Sequence, residues 1–263
     1  TRLDINDFGY GNNAANLAGQ VKRLAPIANN SFLISSSDAL KLATGAIDYR
    51  IAARRGNWSG YSDANSSFWF KGVTAQANSS GSVPMSTPTS QDTAGHDGFR
   101  THAKGVVMGI DKVVDQVTYG LSYGNVSTSI RQDDDRNGEM SKLEQHIWSL
   151  YAQKTDGISF LSSTIKYADG QVQGLRRTAI DRVADFDFSN SNAELTVKAG
   201  QRFDLSNGRS AITPYVQATG GYYKQAEYEE TGAGDLSLHV SEQKIKRMSG
   251  ELGISMSHKG RFN

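Results

Sequence analysis

From residue 66 onward, apolar and polar residues alternate with a period of two over stretches of a dozen residues or more. Val117, Tyr119, Leu121 and Tyr123 interleave with Thr118, Gly120, Ser122 and Gly124. Ala193, Leu195, Val197 and Ala199 interleave with Glu194, Thr196, Lys198 and Gly200, and Ile212, Pro214, Val216 and Ala218 with Thr213, Tyr215, Gln217 and Thr219. A period of two sends successive side chains to opposite faces of a strand. One face is therefore apolar and aromatic, and the other is small, polar or charged. About eight such strands are expected, near residues 67–78, 99–114, 116–131, 143–155, 158–174, 186–204, 210–228 and 238–258. They are longer than the usual ~5–6 residues, whereas a soluble sandwich needs shorter strands with an inward apolar face. Their connections alternate in length. Val114-Asp115-Gln116, Thr155-Asp156-Gly157 and Ser206-Asn207-Gly208 are tight turns, and residues 79–98, 132–142, 175–185 and 229–237 are long polar loops. Short turns at one end and long loops at the other are the pattern of an outer-membrane barrel. The expected fold class is all-β, a transmembrane antiparallel β-barrel.

Composition closes off several other classes. Mean hydropathy is −0.50, and no apolar run reaches the ~18–20 residues of a membrane helix. Twenty-eight basic residues against 27 acidic ones give a net charge of +1, without the basic excess of a nucleic-acid protein. The chain has no cysteine, so it has no disulfide scaffold, thiolate metal site or cysteine nucleophile. It opens with Thr1-Arg2-Leu3-Asp4 and no signal peptide, so if the protein is exported the sequence is expected to be a processed or excised piece.

Residues 1–65 follow a different period and read as a linker ahead of a barrel at 66–263. Ala14 to Leu24 is a short helical pattern ending before Pro26. Ser35, Ser36, Ser37 and Asp38 offer N-cap oxygens. A helix over about 36–55 then follows, with Leu40, Ala43, Ile47 and Ile51 spaced by three and four. Gly56 is a stop signal, and Arg50, Arg54 and Arg55 suit the negative end of the helix dipole.

Two motifs suggest chemistry. Gly120-Leu121-Ser122-Tyr123-Gly124 matches G-x-S-x-G, but a nucleophile elbow needs a strand-to-helix turn, and this pentapeptide lies within an alternating strand. Asp133, Asp135, Asn137, Gly138 and Glu144 match the calcium pattern D-x-[DN]-x-[DN]-G-x5-E. Its flank Val126 to Ile130 is strand-like rather than helical, so the expectation is a solvated acidic loop that binds no calcium. His96, His102, His146, His239 and His258 show no i+2, i+3 or i+4 pairing, hence no local metal spacing. Asn57-Trp58-Ser59 and Asn78-Ser79-Ser80 match glycosylation acceptors, as asparagine- and serine-rich loops do by chance.

A helix leading into an alternating barrel resembles the translocator (β) domain of the monomeric autotransporters, the type V secretion proteins of Gram-negative bacteria. Gln20 to Ile27 and Asp38 to Arg55 resemble the family's linker. Phe68-Trp69-Phe70-Lys71-Gly72 is similar to its first strand, and Gly105 to Lys112 to the G-x-x-x-G-x-D run of its second. Ala199 to Phe203 and Ile212 to Gln217 resemble its sixth and seventh strands. The resemblance implies a twelve-strand barrel with the helix in its lumen, so the last strands are expected to be absent from a chain ending at Asn263. It implies an outer-membrane location at the cell surface, export of an N-terminal passenger, no cofactor and no enzymatic activity. The implied partners are outer-membrane lipid, the chain's own passenger and the barrel assembly machinery, with no nucleic acid. A porin-like or adhesive barrel and an outer-membrane esterase or lipase are the alternatives. Some family members cut themselves in the pore at Asn-Asn or Asn-Asp, but Asp38 to Arg55 has no asparagine.

The alternation also gives expectations for the lumen. Asp111, Lys166, Glu194, Lys198, Arg202 and Glu251 fall on the inward face, so the helix should meet polar walls. Arg50, Arg54 and Arg55 then need carboxylates, and Glu194, Glu251 and Asp111 are the candidates, because an unpaired charge in a narrow pore is costly.

Overall fold

The structure is a computed structural model that describes residues 23–27, 30–55, 66–81, 97–180, 182–205 and 210–258; the side chains of Arg55 and Asp135 lie outside that set. The expected helix at 14–24 falls almost wholly outside it as well. Among the described residues one α-helix, α1 (Ser31–Arg55), precedes eleven strands. The long ones are β1 (Ser66–Ser79), β2 (Phe99–Val114), β3 (Val117–Gln132), β4 (Met140–Thr155), β5 (Ser159–Arg177), β6 (Val183–Gln201), β8 (Ser210–Gln225) and β11 (Gln243–His258). Short pairs complete the set: β7 (Phe203–Asp204) pairs with β8 just beyond the end of β6, and β9 (Tyr228–Glu229) pairs with β10 (His239–Val240) in a separate hairpin. The long strands form one antiparallel sheet in the order β1-β2-β3-β4-β5-β6-β8-β11, a meander curled around α1. Among the described residues β1 pairs with β2 and β11 with β8, and the two edges do not pair with each other.

The register turns the sequence alternation into rows. Phe68, Ile110, Leu121, Leu150, Ile165 and Leu195 lie side by side across β1 to β6. All six are exposed, from 47% for Leu195 to 63% for Phe68. Moving one residue along each strand flips the face. That row holds Trp69, Gly109, Ser122, Ser149, Lys166 and Glu194, and its non-glycine members are buried. Phe70, Tyr119, Trp148, Tyr167 and Tyr222 also stand on the outer face. A continuous apolar outside around a largely polar inside is the inverse of a soluble sheet and fits lipid.

β5 and β6, at 19 residues each, are longer than the ~9–11 needed to cross a bilayer. Toward the loop end their alternation inverts. Gln171, Gln173, Asp185 and Asp187 point out, while Val172, Phe186 and Phe188 point in. That reversal marks where the wall leaves lipid for water.

α1 begins at Ser31, five residues before the expected start near residue 36. The serines expected to cap it are helical instead. Ser36 Oγ donates to the Phe32 carbonyl at 2.9 Å and Thr44 Oγ1 to that of Leu40 at 3.0 Å. Such bonds within the helix satisfy hydroxyls that water cannot reach.

Candidate functional site: the occupied lumen

α1 runs through the lumen from end to end, and its contacts divide into three levels. At the short-turn end, Arg50 and Arg54 converge on one carboxylate. Arg50 donates Nε–H to Asp111 Oδ2 at 2.5 Å and a terminal N–H to Oδ1 at 2.9 Å. Arg54 donates to Oδ1 at 3.1 and 2.7 Å. Ser67 Oγ accepts from Arg54 at 2.6 Å and also from Arg50. Tyr151 donates its O–H to Asp111 Oδ2 at 3.3 Å and accepts the Trp69 indole N–H at 2.9 Å. The register accounts for the knot, since Ser67, Asp111, Gly120 and Tyr151 are successive neighbours across β1 to β4. Glycine stands between Asp111 and Tyr151 because a Cβ at Gly120 would come within 2.5 Å of the Tyr151 ring. The tyrosine lies across that gap to reach the carboxylate.

In the middle, one side of α1 is apolar. Leu40, Ala43, Ala46, Ile47 and Ile51 pack against Trp69, Ala103, Val107, Val126, Ile147 and Ala168 of β1 to β5. The expectation of polar walls all round is therefore corrected. The inward positions of β2 to β5 mix alanine and valine with serine, and the helix settles on that wall because burying the stripe removes apolar surface from water. The opposite side is polar. Lys166 pairs with Glu194, its direct neighbour across β5 and β6, and also contacts Thr44 Oγ1 and the Leu40 carbonyl. Tyr223 donates its O–H to Glu194 at 2.7 Å, and Lys198 reaches Asp48 at 2.7 Å. A cavity of about 380 Å³ separates this face of α1 from β6, β8 and β11, lined in part by Lys41, Thr44, Asp48, Thr196 and Arg247.

At the long-loop end, Ile27 and Phe32 join Phe99, Ile130, Leu143, Val172, Phe186, Phe188, Tyr228 and Val240 in a second apolar cluster. Above it, Arg136 and Arg176 hold the segment that leads into α1.

The sequence-derived site residues are thus only partly brought together. Asp111 takes Arg50 and Arg54. Glu194, expected as their partner, is occupied by Lys166 one wall away. Glu251 is exposed on β11 and accepts the Tyr215 O–H at 2.6 Å. Arg202 pairs with Asp204 at the turn. Of the calcium-pattern residues, Asp133 is held by Arg100 at 2.7 Å and Glu144 points outward from β4 to Lys142 at 2.5 Å, while Oδ2 of the intervening Asp134 accepts the Gly98 N–H at 2.8 Å. Among the described residues no three His, Asp or Glu side chains are grouped to hold a metal. Ser122 lies mid-strand in β3 opposite Ser149, with no helix following it. Sequence reasoning missed Tyr151, Tyr223, Arg136, Arg176, Glu139 and Glu230. Tyr151 and Tyr223 were legible as inward positions of alternating strands, while the other four come together only through loop geometry.

Residues 85–263 match the family model for the autotransporter β-domain. Outer membrane protein A of Rickettsia conorii is 23% identical over 171 residues, covering 61% of this chain and 8% of that protein. The putative surface cell antigen sca1 of the same species is 24% identical over 168 residues, covering 61% and 9%. The chain thus spans less than a tenth of the curated relatives it matches. In fold it is similar to the translocator domain of autotransporter NalP from Neisseria meningitidis, with a TM-score of 0.63, 12% identity, and 87% and 73% of the two chains covered. It is also similar to the β domain of the Bordetella autotransporter BrkA, with a TM-score of 0.52, 14% identity, and 76% and 74% covered. With its lipid-facing rows, helix-threaded lumen and family match over most of its length, the chain belongs to the autotransporter β-domain family and is a β-barrel of the bacterial outer membrane.

Proposed function

We propose that this β-domain anchors in the outer membrane and exports a passenger lying upstream of α1, and that α1 remains behind as the plug of the pore. The direction of the helix carries this reading. Ser31 sits at the long-loop end beside Gln132, and Arg50 and Arg54 sit at the short-turn end beside Ser67 and Asp111. Long loops face outward and short turns face the periplasm in such barrels. Any chain preceding residue 31 then emerges on the cell surface. Arg50, Arg54, Asp111 and Glu194 act in this reading as the fastenings of the plug, Arg55 as a further cation at its end and Glu251 as a group lining the cavity beside it. The role is transport, without a catalytic step or cofactor. A lumen occupied by a packed helix supports this over a porin-like channel, and a mid-strand Ser122 gives an esterase no nucleophile elbow.

The domain division follows the same logic, with 1–65 as linker and plug and 66–263 as barrel wall. Unpaired strand edges in lipid cost several kcal/mol for each exposed backbone group, so we assign further strands to the gap between β11 and β1. Insertion by the barrel assembly machinery fits a wall of this kind. The test is external protease on intact cells expressing the full-length protein. Everything upstream of residue 23 should be removed while the barrel fragment survives. An upstream epitope that is cut only after the outer membrane is permeabilised would overturn the reading.

A further inference from the structure

The chain enters α1 through a collar of buried charge around Arg136 and Arg176. Residues 23–27 are in neither helix nor strand, so their carbonyls need partners from elsewhere when buried. One terminal nitrogen of Arg136 donates to the carbonyls of Ala25 at 2.9 Å and Pro26 at 3.1 Å. Arg176 donates to the carbonyl of Arg23 and, at 2.9 Å, to that of Leu236 in a facing loop. These bonds all fall on main-chain oxygens. The two guanidinium side chains are only 5% and 1% exposed, and carboxylates fix them from behind. Asp97 and Glu139 each lie 3.4 Å from Arg136, and Glu230 lies 2.5 Å from Arg176. Backbone N–H groups orient the carboxylates in turn. That of Arg177 donates to Glu139 at 3.1 Å and that of Leu238 to Glu230 at 3.1 Å. The planar fork of arginine lets one edge pair with a carboxylate while other N–H groups remain for carbonyls.

We infer that Arg136 and Arg176 form a clamp at the barrel mouth that binds the main chain of a passing polypeptide, outside any helix or strand, whatever its side chains. The ligand class is peptide backbone, and the bound example is the chain's own segment 23–26. The inference rests on the export reading, since the same mouth is the way out for a passenger. A site that reads carbonyls can hold each stretch that passes, and at the end it fastens the junction between plug and passenger.

The test uses the full-length protein in outer-membrane vesicles with a nitroxide on Ala25→Cys, a position whose side chain is exposed in a chain without cysteine of its own. The label should be slow. Charge-matched removal of either arm, Arg136→Met with Glu139→Leu or Arg176→Met with Glu230→Leu, should lower the slow-to-fast ratio at least about tenfold, the worth of one charge-assisted hydrogen bond. Replacing a side chain within the segment, Leu24→Ala, should leave the ratio within about twofold of the parent, a bound on the same scale. A label that stays slow without the arms overturns the clamp. So does a label freed by the side-chain replacement, and this second arm stands even if the first variants fail to fold. Surface exposure of the passenger, scored separately on the parent protein, tests the export reading alone.

Discussion

Asp111→Asn isolates the fastening of the plug. The substitution keeps the shape of the side chain and removes one negative charge from beneath two cations. Asp111 is wholly buried, and the Arg50 and Arg54 side chains are 2% and 9% exposed. Four N–H bonds from the two guanidiniums end on its carboxylate. An exposed bridge would be worth only ~0–1 kcal/mol. Breaking a buried pair by removing one partner costs about 3–5 kcal/mol, because the other charge is left without compensation. At 1.4 kcal/mol per factor of ten, the seated-to-released ratio of α1 should fall by roughly two to three and a half powers of ten. The lower end is the better expectation, since Ser67 still accepts from both arginines. The assay is single-channel recording of the protein in a planar bilayer. Asp111→Asn should open often to the conductance that a deletion of Asp38 to Arg55 shows permanently. Glu194→Gln should act in the same direction more weakly, because Lys166 keeps its contacts to Thr44 and the Leu40 carbonyl. Glu251→Gln should have no effect. An open fraction in Asp111→Asn equal to that of the parent would refute the reasoning, as would unchanged conductance on deleting the helix.

Four further outcomes follow. A spin label at Leu121, on the exposed apolar row, should report oxygen contact typical of lipid, and a water-exposed signal would contradict the membrane face. Gly120→Ala places a Cβ 2.5 Å from both the Tyr151 ring and the Ile110 carbonyl; it should cost about 1–3 kcal/mol in detergent unfolding, as overpacking does, and a neutral result would mean that Tyr151 has room elsewhere. Burial pushes the Glu139 carboxyl up, against the opposing pull of Arg136 and the Arg177 N–H. A raised folded value means that the native state holds its proton longer, so this contribution to stability is full below the ordinary glutamate value of ~4.3 and is lost as pH rises through the folded value. Unfolding followed from pH 4 upward should show that loss in the parent and not in Glu139→Gln. Calorimetry with calcium should give no one-to-one heat, since Asp133 and Glu144 are engaged by Arg100 and Lys142; a heat that disappears in Asp133→Ala would reverse that expectation.

The alternation by itself determined the wall of this protein. Strand positions, the side of each residue, the short-turn and long-loop ends and the lipid-facing row from Phe68 to Leu195 all follow from a strict period of two, because a strand has only two faces. The inward placement of Asp111, Lys166 and Glu194 was legible for the same reason. What the tertiary structure alone decided is who meets whom across the lumen. The choice of Asp111 over Glu194 or Glu251 depends on how deep α1 sits and which part of the wall its stripe of Leu40, Ala43, Ile47 and Ile51 meets, and that stripe names the buried side of the helix without naming the strands that receive it. Its apolar seat on β1 to β5 and the carbonyls held by Arg136 and Arg176 arise from the curvature of the sheet and the folding of loops over its mouth. Those contacts join residues more than a hundred positions apart, such as Arg136 with Ala25 and Arg176 with Arg23. Local pattern carries no information at that range, and only the packing of helix, sheet and loops brings such residues together.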